Sequence, residues 1–85
     1  MTTSRAATER SAPTRPRKRS FTLSGHRTSI SLEAAFWDAL KAAAARERVS
    51  LAALVGTIDA ARGEAGLSSA VRVWVLDYVS RRAEP

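Results

Sequence analysis

The chain changes texture at Ser20. Residues 1–19 hold no large apolar side chain after Met1, so nothing there offsets the entropy of ordering a backbone. Beyond that point apolar positions recur with a period. Phe21 and Leu23 alternate with Ser20, Thr22 and Ser24, Gly25 interrupts, and His26-Arg27-Thr28-Ser29-Ile30-Ser31-Leu32 follows. Thr28, Ile30 and Leu32 fall on one side of a period-two pattern and Arg27, Ser29 and Ser31 on the other, which predicts a half-buried strand. A lone strand leaves a row of backbone donors and acceptors without partners. Either Phe21–Leu23 folds back on it across Gly25, or another chain supplies the partner.

The period then changes from two to that of a helix. From about Glu33 to Arg48, Phe36, Leu40, Ala43 and Ala44 share one face with Trp37 beside it, while Asp38, Lys41 and Arg46 lie away from it. Glu33 in the first turn and Arg46 and Arg48 in the last suit the helix dipole. Ser50 is a good N-cap for a second helix from about Leu51 to Arg62, striped by Leu54, Val55 and Ile58 and terminated at Gly63. A third helix is expected from about Ser69 to Arg82. Leu67, Val71, Trp74 and Tyr78 form one helical row, and Val73, Val75, Leu76 and Val79 widen the apolar surface enough to imply burial on more than one side. The β-branched residues Val71, Val73 and Val75 would also suit a strand; the helical row and Arg81-Arg82 at its end favour the helix.

Composition narrows the picture. With 85 residues the chain holds one domain at most, and with no cysteine it has neither disulfides nor thiolate metal sites to stabilise a small core. Oligomerisation is the remaining route. The net charge is +6, but residues 1–19 carry six basic groups against Glu9, whereas residues 20–85 carry eight against seven acidic ones. The excess therefore belongs mainly to the tail. Residues 1–19 read as a disordered basic arm, 20–82 as the folded domain and 83–85 as a short tail. Pro13 and Pro16 and the lack of an apolar stripe argue against a transit peptide, and no apolar run approaches the roughly 18–20 residues that span a bilayer.

The stretch from Arg27 to Leu40, RTSISLEAAFWDAL, with the continuation ERVSLAALV over Glu47–Val55, resembles the start of the ribbon-helix-helix family. It looks closest to a short bacterial branch, and the resemblance covers about Ser20 to Tyr78. It implies a mainly α fold with one short strand: an intertwined homodimer whose strands pair antiparallel as a two-stranded intermolecular ribbon, here with an additional C-terminal helix. The ribbon would enter the major groove of double-stranded DNA. Carried over by position, Arg27, Ser29 and Ser31 face the bases; Thr28, Ile30, Leu32, Phe36, Leu40, Leu54 and Ile58 make the dimer core. Ser50, Leu51 and Ala52 at the second helix start hold a phosphate. Arg15, Arg17, Lys18 and Arg19 would tether DNA without sequence choice. The family pattern ends after the second helix, so the third is a departure that either enlarges the dimer interface or serves a protein partner.

Other chemistry finds little footing. His26 beside Gly25 reads as a turn or phosphate-contacting residue, because no partner set for a metal or a general base accompanies it. Phe36, Trp37, Trp74 and Tyr78 sit at helical spacing within apolar stripes and read as core and interface. Gly63 and Gly66 are punctuation and make no phosphate loop. The expectation is a cytoplasmic, nucleoid-associated DNA-binding regulator, not an enzyme, with no cofactor. The rivals are an antitoxin-like or adaptor module using the fold as a dimerisation platform, and a domain of the same fold that has lost DNA binding.

Overall fold

A computed structural model describes residues 15–83. Two strands, β1 (Arg17–Leu23) and β2 (His26–Leu32), precede three helices, α1 (Ala34–Glu47), α2 (Leu51–Ala61) and α3 (Leu67–Ala83). The first fourteen residues of the expected arm and the last two of the tail lie outside the described residues.

The strand partner comes from within the chain. β1 and β2 form an antiparallel hairpin with register from Leu23↔His26 at the turn to Arg17↔Leu32 at the open end. Ser24 and Gly25 both have positive φ, 51° and 80°, the signs of the two-residue turn whose twist matches that of paired strands. Once this turn fixes the register, every residue of β2 needs one opposite, and pairing extends β1 back to Arg17. The domain boundary expected at Ser20 is thereby corrected: Arg17, Lys18 and Arg19 are strand residues and not part of an arm.

The helix ends follow local chemistry. α1 closes with Arg48 in the left-handed region (φ 62°); its amide donates to the Ala45 carbonyl at 3.1 Å, and the Val49 amide donates to the Ala44 carbonyl at 3.0 Å. This pair satisfies carbonyls that the helix itself leaves open. The Ser50 hydroxyl accepts from the Ala53 amide at 3.0 Å, as expected of an N-cap. Gly63 follows α2 with φ 66°. α3 starts at Leu67, two residues earlier than expected, because the Gly66 carbonyl already accepts from the Ala70 amide at 2.9 Å.

The inner face of the hairpin and one face of each helix enclose the core. Ile30, Leu32, Leu40, Val55 and Val71 are its largest fully enclosed side chains, with Trp37, Leu54, Ile58 and Val75 also buried. The expected dimer-core positions Ile30, Leu32, Leu40, Leu54 and Ile58 thus fill the interior of one chain, while Thr28 and Phe36 are half-buried. Trp37 exchanges places with Phe36 because β1 lies over it. Its indole Nε1 donates to the Arg17 carbonyl at 3.0 Å, and Phe21 stacks on it at 6.1 Å between centroids. On α3 the expected row is only partly internal. Val71 and Val75 are buried, Leu67, Trp74 and Tyr78 pack against the core, and Val73, Leu76 and Val79 are exposed.

Candidate nucleic-acid interface

Register decides what the ribbon shows to solvent. Directly opposite residues share a face, so Arg17, Arg19, Phe21 and Leu23 join His26, Thr28, Ile30 and Leu32 on the side that carries the core. The other side displays Lys18, Ser20 and Thr22 opposite Ser31, Ser29 and Arg27. Ser31 is half-buried and the other five are exposed. The period-two division read from β2 is therefore the division the hairpin makes. β1 contributes three more polar positions to the outer face, Lys18, Ser20 and Thr22. The alternation of Ser20, Thr22 and Ser24 with Phe21 and Leu23 was their only signal, and it does not reach Lys18.

Charge on this surface has one sign. No acidic residue occurs between Glu9 and Glu33, so the whole hairpin carries cations without a carboxylate among them. The three ion pairs among the described residues lie elsewhere, at Arg62–Asp59, Arg72–Glu33 and Arg81–Asp77. Arg27 on β2 and Lys18 on β1 are thus free to pair with an external anion. Width also fits. Two paired strands lie about 5 Å apart, and the major groove of B-DNA is about 12 Å wide and admits a two-stranded ribbon.

The open edge of β2 is partly occupied by α3. A two-residue hairpin makes Leu23 and His26 a hydrogen-bonded pair, so the amides and carbonyls of Arg27, Ser29 and Ser31 point away from β1. At Ser31 both groups are taken. Its amide donates to the Ser68 hydroxyl at 3.3 Å, and its carbonyl accepts from Arg72 Nη2 at 3.4 Å. Arg72 also donates through Nε to Glu33 Oε1 at 3.0 Å and through Nη2 to Oε2 at 3.3 Å. That bonding holds the Glu33 carboxyl below its ordinary pKa. At the far end of α1 the Tyr78 hydroxyl donates to Glu47 Oε2 at 2.9 Å; partial burial, and then this carboxylate, push the phenol above its ordinary value. α3 is therefore fastened to β2 at one end and to α1 at the other.

The remaining sequence-derived sites fall apart in space. Ser50, Leu51 and Ala52 start α2, but the α2 residues nearest the hairpin turn are Gly56, beside Leu23, and Asp59 and Arg62, in a recess with His26 and Arg27. At about 1.5 Å per residue, Leu51 lies roughly 12 Å along the helix from Asp59. Arg15 is exposed and precedes β1. His26 is exposed at the turn, as a turn residue should be.

A hairpin with a bare cationic outer face, backed by helices that bury its inner face, defines a ribbon-presenting helical domain. The chain belongs to the ribbon-helix-helix domain family, whose model matches residues 16–79. No match was found among curated proteins or among solved structures. The matched range takes in β1 and most of α3, so both are part of the family pattern in this chain and not appendages to it. Among the described residues no helix is long and apolar enough to cross a membrane.

Proposed function

We propose that this is a non-enzymatic DNA-binding protein, a dimeric regulator that lays the outer face of the β1–β2 hairpin in the major groove of double-stranded DNA. The observation that carries the reading is the outer face itself: Lys18, Ser20, Thr22, Arg27 and Ser29 exposed on one side of an acid-free two-stranded ribbon. Arg27 reads a base, since its guanidinium can give two hydrogen bonds to guanine O6 and N7; Ser20, Thr22 and Ser29 donate or accept with less discrimination. Ser31 contributes less than its neighbours because α3 crowds its edge. The Ser50 hydroxyl and the amides of Leu51 and Ala52 remain the proposed phosphate contact at the start of α2. Selecting bound sequences from a random duplex pool and then titrating the selected site tests the reading. Arg27→Ala should weaken that site by roughly 5- to 150-fold, the worth of one bidentate base contact, and leave random duplex almost unaffected. An Arg27→Ala protein that binds its site like the unaltered chain would remove the base-reading role.

For the second copy, two features of the single chain support a contact through α3. One chain supplies both strands of the ribbon, and a partner strand at the β2 edge would have to displace Ser68 and Arg72 from Ser31. Most of the large apolar side chains left to solvent among the described residues are on α3, where Val73 and Leu76 are 67% and 64% exposed. Beside them a cleft of about 460 Å³ runs between the end of α2 and α3, lined by Ile58, Ala65, Ala70, Val73 and Trp74 among others. Contiguous exposed apolar surface of this kind marks a contact site. About Leu76, Val73 and Val79 are equally spaced, so two antiparallel copies of α3 would set each valine against the other's counterpart. We therefore propose that the dimer forms through α3, and Leu76→Lys should give a folded monomer by light scattering. A Leu76→Lys dimer would return the interface to the β2 edge. The same surface is what favours the second reading, a protein-interaction module; a chain that dimerises through α3 yet binds no duplex at low salt would establish it.

A further inference from the structure

Beside the ribbon, on the side away from its outer face, the start of β1 and the first half of α1 enclose a shallow recess of about 310 Å³. Arg17, Lys18, Arg19 and Lys41 line it against a single carboxylate, Asp38. None of these cations takes part in the ion pairs found among the described residues. Like charges gathered on so small a surface repel one another, and an incoming anion is what relieves them.

The floor of the recess is rigid. Trp37 is 4% exposed, and its Nε1–H···O bond to Arg17 pins the first residue of β1 to α1. The Arg19 guanidinium lies 5.4 Å from the Trp37 ring centroid, within reach of a cation–π contact. Arg17 and Arg19 alternate with Lys18 along β1, so the two arginines point to α1 while the lysine points to the outer face. A tether needs none of this order. A duplex seated on the outer face carries a phosphate backbone past each flank of the ribbon, because the groove is wider than the ribbon by several ångströms.

We propose that Arg17, Arg19 and Lys41, gathered around Trp37 at the start of β1 and the first half of α1, form a site for a backbone phosphodiester of the duplex on the β1 flank of the ribbon. The site rests on the DNA reading above and differs from the one at Ser50, which belongs to another helix. It also turns Arg17 and Arg19 from parts of a loose basic tail into positioned contacts. Lys41 then has a role that sequence alone did not suggest, since in the helical pattern it is one more solvated charge.

The test measures affinity for a random-sequence duplex across a range of salt concentrations, with the full chain. One phosphate contact removed lowers the slope of log affinity against log salt by about 0.9. Lys41→Gln and Arg19→Gln should each do so and weaken all duplexes alike, whereas Arg81→Gln, at the far end of α3, should leave the slope unchanged. In a Trp74→Phe background, duplex should also change the emission of Trp37, the remaining tryptophan, and Arg19→Gln should abolish that change. Binding by every variant with the slope of the unaltered chain would overturn the site and leave the DNA reading standing. Failure of the unaltered chain to bind any duplex would overturn both.

Discussion

Leu40→Ala will lower the unfolding temperature by roughly 12–24 °C, the equivalent of about 3 kcal/mol in a domain of this size. Leu40 sits in the middle of α1 with no exposed surface, inside the core made by Ile30, Leu32, Val55 and Val71. Truncation there loses the transfer free energy of the removed carbons and leaves a void that three helices and a hairpin cannot close without shifting together. Total stability for a domain this short is on the order of 4–10 kcal/mol, so the change takes roughly 30–75% of it. Lys41→Ala, one residue on and exposed, should stay within about 0.5 kcal/mol of the parent. Calorimetry at fixed protein concentration separates the two. A Leu40→Ala melting point within a few degrees of the parent would mean that Leu40 does not lie in the interior of the folded chain.

The same core shows how far the sequence could be read. Thr28, Ile30 and Leu32 against Arg27, Ser29 and Ser31 gave both faces of β2, because period two leaves no freedom once one side is buried. Ser50, Gly63 and the stripe Leu54–Val55–Ile58 placed α2 to within a residue, since capping and periodicity act locally. What escaped depends on pairing at a distance. Arg17-Lys18-Arg19 carry no apolar signal, and their strand conformation comes from the register that the Ser24–Gly25 turn transmits along β2. The burial of Trp37 in place of Phe36 follows from the same strand lying over α1. Whether β2 would pair inside or outside the chain was open for a related reason: a strand's pattern states that it needs a partner and not where the partner comes from. On α3 the width of the apolar surface was legible, but one chain covers only Val71, Val75 and their neighbours. The exposed remainder at Val73, Leu76 and Val79 is visible only when the fold is assembled.

Ser29→Glu will abolish productive DNA binding while leaving the fold intact. Ser29 is exposed on the outer face, directly opposite Ser20, with Arg27 and Ser31 two residues to either side. A carboxylate there enters the groove between two rows of phosphates, and any neutralisation by Arg27 or Lys18 withdraws those cations from the DNA. An unpaired charge forced into such an interface costs about 2–5 kcal/mol, a loss of roughly thirty- to several-thousand-fold. In the free protein the same side chain is solvated, and Arg27 and Lys18 are near enough in the register to tolerate it, so the melting point should move by no more than a few degrees. The sign of the effect separates readout from general attraction. If the ribbon's outer face is the contact surface, Ser29→Glu must hurt far more than Glu64→Gln helps, although each changes the net charge by one and both sites are exposed. Equal and opposite shifts from the two variants would mean that the duplex responds to overall charge and does not touch the ribbon. Loss confined to Ser29→Glu, with secondary structure and oligomeric state preserved, is the expected result.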